Sequence, residues 1–152
     1  MTGIGSLLKH QVAVLLLAIM VPMFAYGLDN PDKPDLVASF QSRAEPYKER
    51  IRNKSETTQQ YRKAYSDYRV FLEKELESSY QKLIQALPDS RTKSFKRSQK
   101  QWAAFQDSEF RFIDDNWSHT SFGSSSVISR GGYKTQVLEN RIILILQYLQ
   151  NY

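Results

Sequence analysis

The sequence predicts an all-α protein: a long antiparallel helical hairpin, a third C-terminal helix packed across it, and a looser N-terminal helical segment. Three observations predict it. Tyr61, Tyr65, Tyr68, Leu72, Leu76, Tyr80, Leu83 and Leu87 advance by threes and fours with no Gly or Pro among them. Beyond Pro88-Asp89-Ser90, Phe95, Trp102, Phe105 and Phe112 share one face of a second helix. Leu138, Ile142, Ile145 and Leu149 then repeat the same period.

Residues 1–27 read as a secretory signal. Lys9 and His10 form a thin basic region, Val12 to Phe24 is apolar apart from Pro22, and Ala25-Tyr26-Gly27 suits cleavage before Leu28. The alternative is a retained anchor, but the apolar run falls short of the roughly 20 residues a membrane-spanning helix needs. Cleavage implies a periplasmic or secreted product with no membrane span. Residues 28–54 form a leader and short helices: Leu28 to Pro34 is rich in Asp and Pro, and Pro46 interrupts any single long helix in 36–53. Residues 55–152 form the main helical domain. Ser55 is the expected N-cap of its first helix, and Pro88 is its stop. Asp89 or Ser90 is the expected cap of the next, which runs to about Asn116. The short connection implies an antiparallel pair, burying Leu76, Tyr80 and Leu83 against Trp102 and Phe105. Trp117 to Gly132, rich in Ser and Gly, reads as a long loop. Tyr133 to Leu149 is the last helix; its run Ile142 to Leu146 is compatible with a strand, but the flanking spacing favours helix.

Nine Tyr and eight Phe predict an aromatic-rich core, and the absence of Cys excludes disulfides and thiolate chemistry. Asp114, Asp115 and His119 have a suggestive ligand spacing, but at a helix end entering a polar loop they read as a solvated turn. No metal is expected. No nucleophile motif or phosphate-binding fingerprint occurs, so neither catalysis nor a cofactor is expected. Asp107 and Glu109, two apart on a helix, point to different faces and form no carboxylate pair. The formal charge of +5 is concentrated in two clusters, Arg43 to Lys54 and Arg91 to Lys100. They suit acidic proteins or anionic envelope polymers, and export argues against nucleic acid.

Ser98-Gln99-x-x-Trp102-x-x-Phe105-x-Asp107-x-Glu109 resembles the Q-x-x-W-x-x-[FY]-R-D-A-E core of the lysozyme-inhibitor LprI-like family. Leu76-x-x-x-Tyr80-x-x-Leu83, Gly123-Ser124 and Leu138-x-x-Arg141 resemble its flanking motifs, so the likeness covers about residues 75–149. Gln106 and Phe110 stand where the family has Arg and Cys. The resemblance implies a non-enzymatic protein that contacts a lysozyme-type muramidase; the alternative is a scaffold binding anionic envelope polymer through its basic faces. Gln99, Trp102, Phe105, Asp107, Glu109 and Arg141 are the motif residues. Glu109, on an apolar stripe, and Arg141, among apolar neighbours, are expected to pair across the helix interface. Trp117, Phe122 and Arg130 are the candidate partner-binding residues, because aromatics and Arg dominate protein interfaces. The alternative is that Trp117 and Phe122 fold back onto the core.

Overall fold

The computed structural model describes residues 34–152. The stretch read as a secretory signal and most of the leader expected after it lie outside the described residues. Helix α1 spans Leu36–Asn53 and starts where the Asp35 side chain accepts the Ala38 N–H at 2.8 Å. It runs unbroken through Pro46, contrary to the expected interruption. Proline lacks an N–H and so leaves the Ser42 carbonyl without its helical donor. Both residues are exposed, so water can take the donor's place. On the opposite side Phe40 and Ala44 are fully buried, and this packing carries α1 across the proline. The N-terminal segment is therefore part of the bundle rather than a looser appendage.

Helix α2 spans Thr58–Ala86. Its cap is Thr57, not Ser55. Thr57 accepts the Gln60 N–H, and the Gln60 side chain accepts the Thr57 N–H, a reciprocal capping box. Ser55 instead donates to the Arg50 carbonyl at 3.0 Å, closing the end of α1. Leu87 turns extended ahead of Pro88, and α3 spans Asp89–Asn116. Pro88 occupies the cap position of α3 without a side-chain bond, so neither Asp89 nor Ser90 serves there. Asp89 lies in the first turn, where an acid suits the helix dipole.

The expected long loop is mostly helical. Helix α4 is the short turn His119–Phe122, capped by Ser118, and a 3-10 turn follows at Gly123–Ser125. Helix α5 then spans Ser126–Leu149, seven residues earlier at its start than the sequence pattern indicates. Ser126, Val127 and Thr135 are buried there, and tertiary packing overrides the weak helix preference of Ser and Gly. The hydroxyls help by bonding backwards: Ser126 donates to the Gly123 carbonyl and Thr135 to the Gly131 carbonyl. Gly123, at φ 55°, makes the turn that admits this early start.

Helices α2 and α5 form the centre and run parallel, Tyr65 packing on Gly131 at one end and Leu83 near Ile145 towards the other. Helix α1 runs antiparallel to both. Arg43 clasps Glu75 through two bonds of 3.0 and 2.7 Å, Arg50 meets Asp67, and Lys48 meets Glu139. The main core joins Phe40, Tyr68, Leu72, Leu138 and Ile142, with Tyr47 and Phe71 stacked on it. A second cluster of Leu83, Phe95 and Ile145 seals the α2–α3 turn. Helix α3 approaches α5 more closely than α2, leaving a groove of about 390 Å³ between the two arms of the hairpin. No described helix is long and apolar enough to cross a membrane.

Candidate functional site

The family-like motif on α3 meets its counterpart on α5 at Arg141. Arg141 is only 7% exposed, and its guanidinium packs against the Phe95 and Trp102 rings, at 5.9 and 5.6 Å from their centroids. Arg141 Nε donates to Gln99 Oε1 at 2.9 Å, and Nη2 reaches Ser98 Oγ at 3.5 Å. Burial holds the Arg141 pKa below its ordinary value, yet an arginine stays charged at neutral pH. Two aromatic faces and an amide oxygen stabilise that charge without a carboxylate.

Arg141 does not pair with Glu109, contrary to expectation. Gln99 lies level with Arg141 in this antiparallel pair, whereas Glu109 is nearly three turns further along α3. Glu109 is half-buried and has no ion pair among the described residues. The clamp of Gln99, Trp102 and Arg141 therefore fastens α3 to α5.

The aromatic stripe divides. Phe95 is buried and Trp102 half-buried, but Phe105 and Phe112 are 52% and 55% exposed. The inward track of α3 is Phe95, Gln99, Trp102, Gln106, Phe110 and Ile113, spaced by fours and threes. Phe105 and Phe112 lie about a quarter turn off it. Phe105 thus does not bury Leu76 and Leu83; Tyr80 packs on Phe95 instead, and Trp102 joins the main core. Asp107 is exposed on another face.

Phe105, Glu109, Phe112 and Asp115 follow one another at spacings of four, three and three, so they form one ridge along the second half of α3. Trp117 extends the ridge. It sits edge-on to Phe112 at 6.2 Å and lies over Tyr133 at 4.3 Å. Trp117 is half-buried in this cluster, while Phe122 is 47% exposed on α4. Arg130 does not project beside Phe122. It folds back on Ser126 and approaches Asp114, lining a cleft with Lys134. Asp114 bonds Lys134 through both oxygens at 2.7 Å, so it is engaged within the protein rather than held open beside Asp115 and His119.

Charge is sorted along α3. Its first half carries Arg91, Lys93, Lys96, Arg97 and Lys100 against Asp89 alone, and its second half carries Asp107, Glu109, Asp114 and Asp115 against Arg111 alone. Helix dipoles favour the opposite order. The basic cluster of α1 is not a free surface: Arg43, Lys48, Arg50 and Arg52 are all in ion pairs.

These features define an all-helical bundle tied by a Gln–Arg–Trp clamp, with a sorted charge and an aromatic ridge on one outer helix. The model of the family described as lysozyme inhibitor LprI matches residues 49–143, and the chain belongs to that family. No curated protein and no solved structure matches the chain significantly. The matched stretch runs from the end of α1 into α5 and contains the whole clamp and the whole ridge.

The clamp's partner choice was the element that sequence reasoning missed. Gln99 and Arg141 both belong to the motif, but a neutral acceptor gives no charge signal. The cleft beneath Arg130 was also missed. Arg130 and Lys134 are four apart across the Gly131-Gly132 pair, and reading that pair as the end of a loop hid the helical spacing.

Proposed function

We propose that this protein is an exported, non-enzymatic inhibitor that binds a lysozyme-type muramidase through the ridge Phe105–Glu109–Phe112–Asp115, continued by Trp117, with Phe122 on the adjoining turn. The observation that carries this reading is the reversed charge order of α3. Asp114 and Asp115 lie in the last turn of α3, where acids oppose the helix dipole, and Asp115 and Glu109 have no ion pair among the described residues. Set beside exposed aromatics, they give a basic protein both an apolar anchor and a complementary field. Many lysozymes are basic, and the net positive charge of the whole chain would otherwise repel them. Arg130 contributes indirectly, through Asp114. Export rests on the signal-like residues 1–27, and the domain limits proposed are 28–54 for leader and first helix and 55–152 for the rest.

Isothermal titration with a basic lysozyme, run beside a cell-wall lysis assay, tests the proposal. Saturable binding and slowed lysis are expected. Phe112→Ser combined with Glu109→Lys should weaken binding by about tenfold or more with an unchanged melting temperature. Wild-type protein that neither binds nor slows lysis defeats the reading.

A second reading, attachment to anionic envelope polymer, is supported by the first half of α3 alone. None of its five cations has an ion-pair partner among the described residues. Binding to isolated wall polymer that is lost on Lys96→Gln/Lys100→Gln, with lysozyme capture intact, would favour it.

A further inference from the structure

The seam between the start of α5 and the first half of α2 departs from the rest of the bundle. Elsewhere each cation bridging helices meets a carboxylate: Arg43 meets Glu75, Lys48 meets Glu139, and Arg50 meets Asp67, which also takes Lys63. Here a cleft of about 270 Å³ is lined by Arg62, Arg69, Arg130 and Lys134, with Asp114 as its one carboxylate. Arg69 also reaches Glu73 at 3.4 Å, and Arg62 has no ion pair among the described residues. Two helices build the site by register. Arg62 and Arg69 are seven apart on α2, and Arg130 and Lys134 are four apart on α5. Gly131 lies between them, and the Tyr65 ring packs where a side chain there would stand, so ring and glycine backbone together line the cleft.

Four cations around one small space repel each other, and like charges four apart weaken a helix. Asp114 answers part of that repulsion, with Lys134 Nζ 2.7 Å from both its oxygens and Arg130 Nη1 3.8 Å away. Lys134 is further fixed over the Phe110 ring at 5.3 Å. Asp114 thus marks the position where an oxyanion is bound, while Arg62 and Arg69 across the cleft keep spare donors. We infer that this cleft is a binding site for a phosphoryl group. Arginine forks match the geometry of phosphate oxygens, and two of them with a point-charge lysine suit a doubly charged oxyanion better than a lone carboxylate. The group is carried either free or on a lipid headgroup, and the ridge on α3 plays no part in holding it.

The test follows the amide resonances of Gly131 and Thr135 while inorganic phosphate is added, against sodium chloride at matched ionic strength. A parallel arm measures sedimentation with vesicles of phosphatidylglycerol or of phosphatidylcholine. Saturable shifts specific to phosphate are expected. Arg62→Gln/Arg130→Gln should weaken them by about tenfold, and Asp114→Asn should tighten them by about threefold, because it removes the competing carboxylate. Arg62→Gln alone keeps the test decisive if the Asp114 variant fails to fold, since Arg62 makes no ion pair among the described residues. Sedimentation with phosphatidylglycerol alone, abolished by the double variant, assigns the group to a headgroup. Shifts that follow ionic strength only, or binding indifferent to all three substitutions, overturn the inference.

Discussion

Arg141 shows how a buried charge is kept without an opposite charge. Its guanidinium is stabilised by Gln99 Oε1 and by the faces of Phe95 and Trp102. Removing the acceptor strands the charge, so Gln99→Leu should destabilise the protein by about 1–3 kcal/mol in urea unfolding. Gln99→Leu combined with Arg141→Met leaves an apolar contact of similar volume and should recover most of that loss. Glu109→Gln should change stability by less than about 0.5 kcal/mol, since no partner is lost. A double-mutant cycle between Gln99 and Arg141 that proves additive would remove the clamp from the account. The residues of this site were legible in the sequence, but their pairing was not. A carboxylate on an apolar stripe invites pairing with the nearest Arg in the mind of a reader who cannot see register. The antiparallel offset of α3 against α5 places Gln99, not Glu109, at that level.

At the scale of elements, the close approach of α2 and α5 turns on one residue. A Cβ at Gly131 would fall 2.3 Å from Tyr65 Cγ, whereas at Gly132 the nearest atom, the Tyr65 hydroxyl oxygen, would be 3.7 Å away. Both glycines are helical, so alanine gains helix propensity at either position. Only Gly131 meets a ring. Gly132→Ala is expected to stabilise by about 0.5–1 kcal/mol, and Gly131→Ala to destabilise by about 1–3 kcal/mol as the helices are forced apart. Thermal melts followed by circular dichroism compare them, and equal effects would show that the seam is loose. The helices α2 and α3 were legible to within about three residues, because strong periodicity and Pro88 bound them. The start of α5 was not. Its first turns are Ser- and Gly-rich, and helix there depends on burial of Ser126 and Val127 against the neighbouring elements, which no local pattern records. The outward turn of Phe105 and Phe112 was equally hidden, since aromatic side chains on one face look like core until Ile113 and Phe110 are seen to hold the inner track.

At the scale of the whole molecule, stability is tied to a core that keeps tyrosine neutral. The Tyr68 hydroxyl is buried beside Glu139 with no hydrogen bond of acceptable geometry, and burial, reinforced by that carboxylate, pushes its pKa far up. Burial also raises Tyr65. A folded-state value above the unfolded one gives stability that is complete below the unfolded tyrosine pKa of about 10 and lost as pH climbs beyond it. The urea midpoint should therefore fall above about pH 10, and Tyr68→Phe should blunt that fall while costing little at neutral pH. A flat profile through that range would contradict the burial of Tyr68. The position of α5 has a further outcome, in time rather than in space. It is the shared neighbour of α1, α2 and α3, yet it is the last of them to leave a ribosome. Tyr65 must find Gly131 across more than half of the described chain, so the bundle carries more distant pairings than a simple up-and-down one and should fold more slowly. Until α5 emerges, the apolar faces of three helices have no common partner, and the nascent chain stays pliable and exposed to aggregation. The export proposed for this chain would draw on that delay, because a polypeptide is threaded through a narrow channel before it sets.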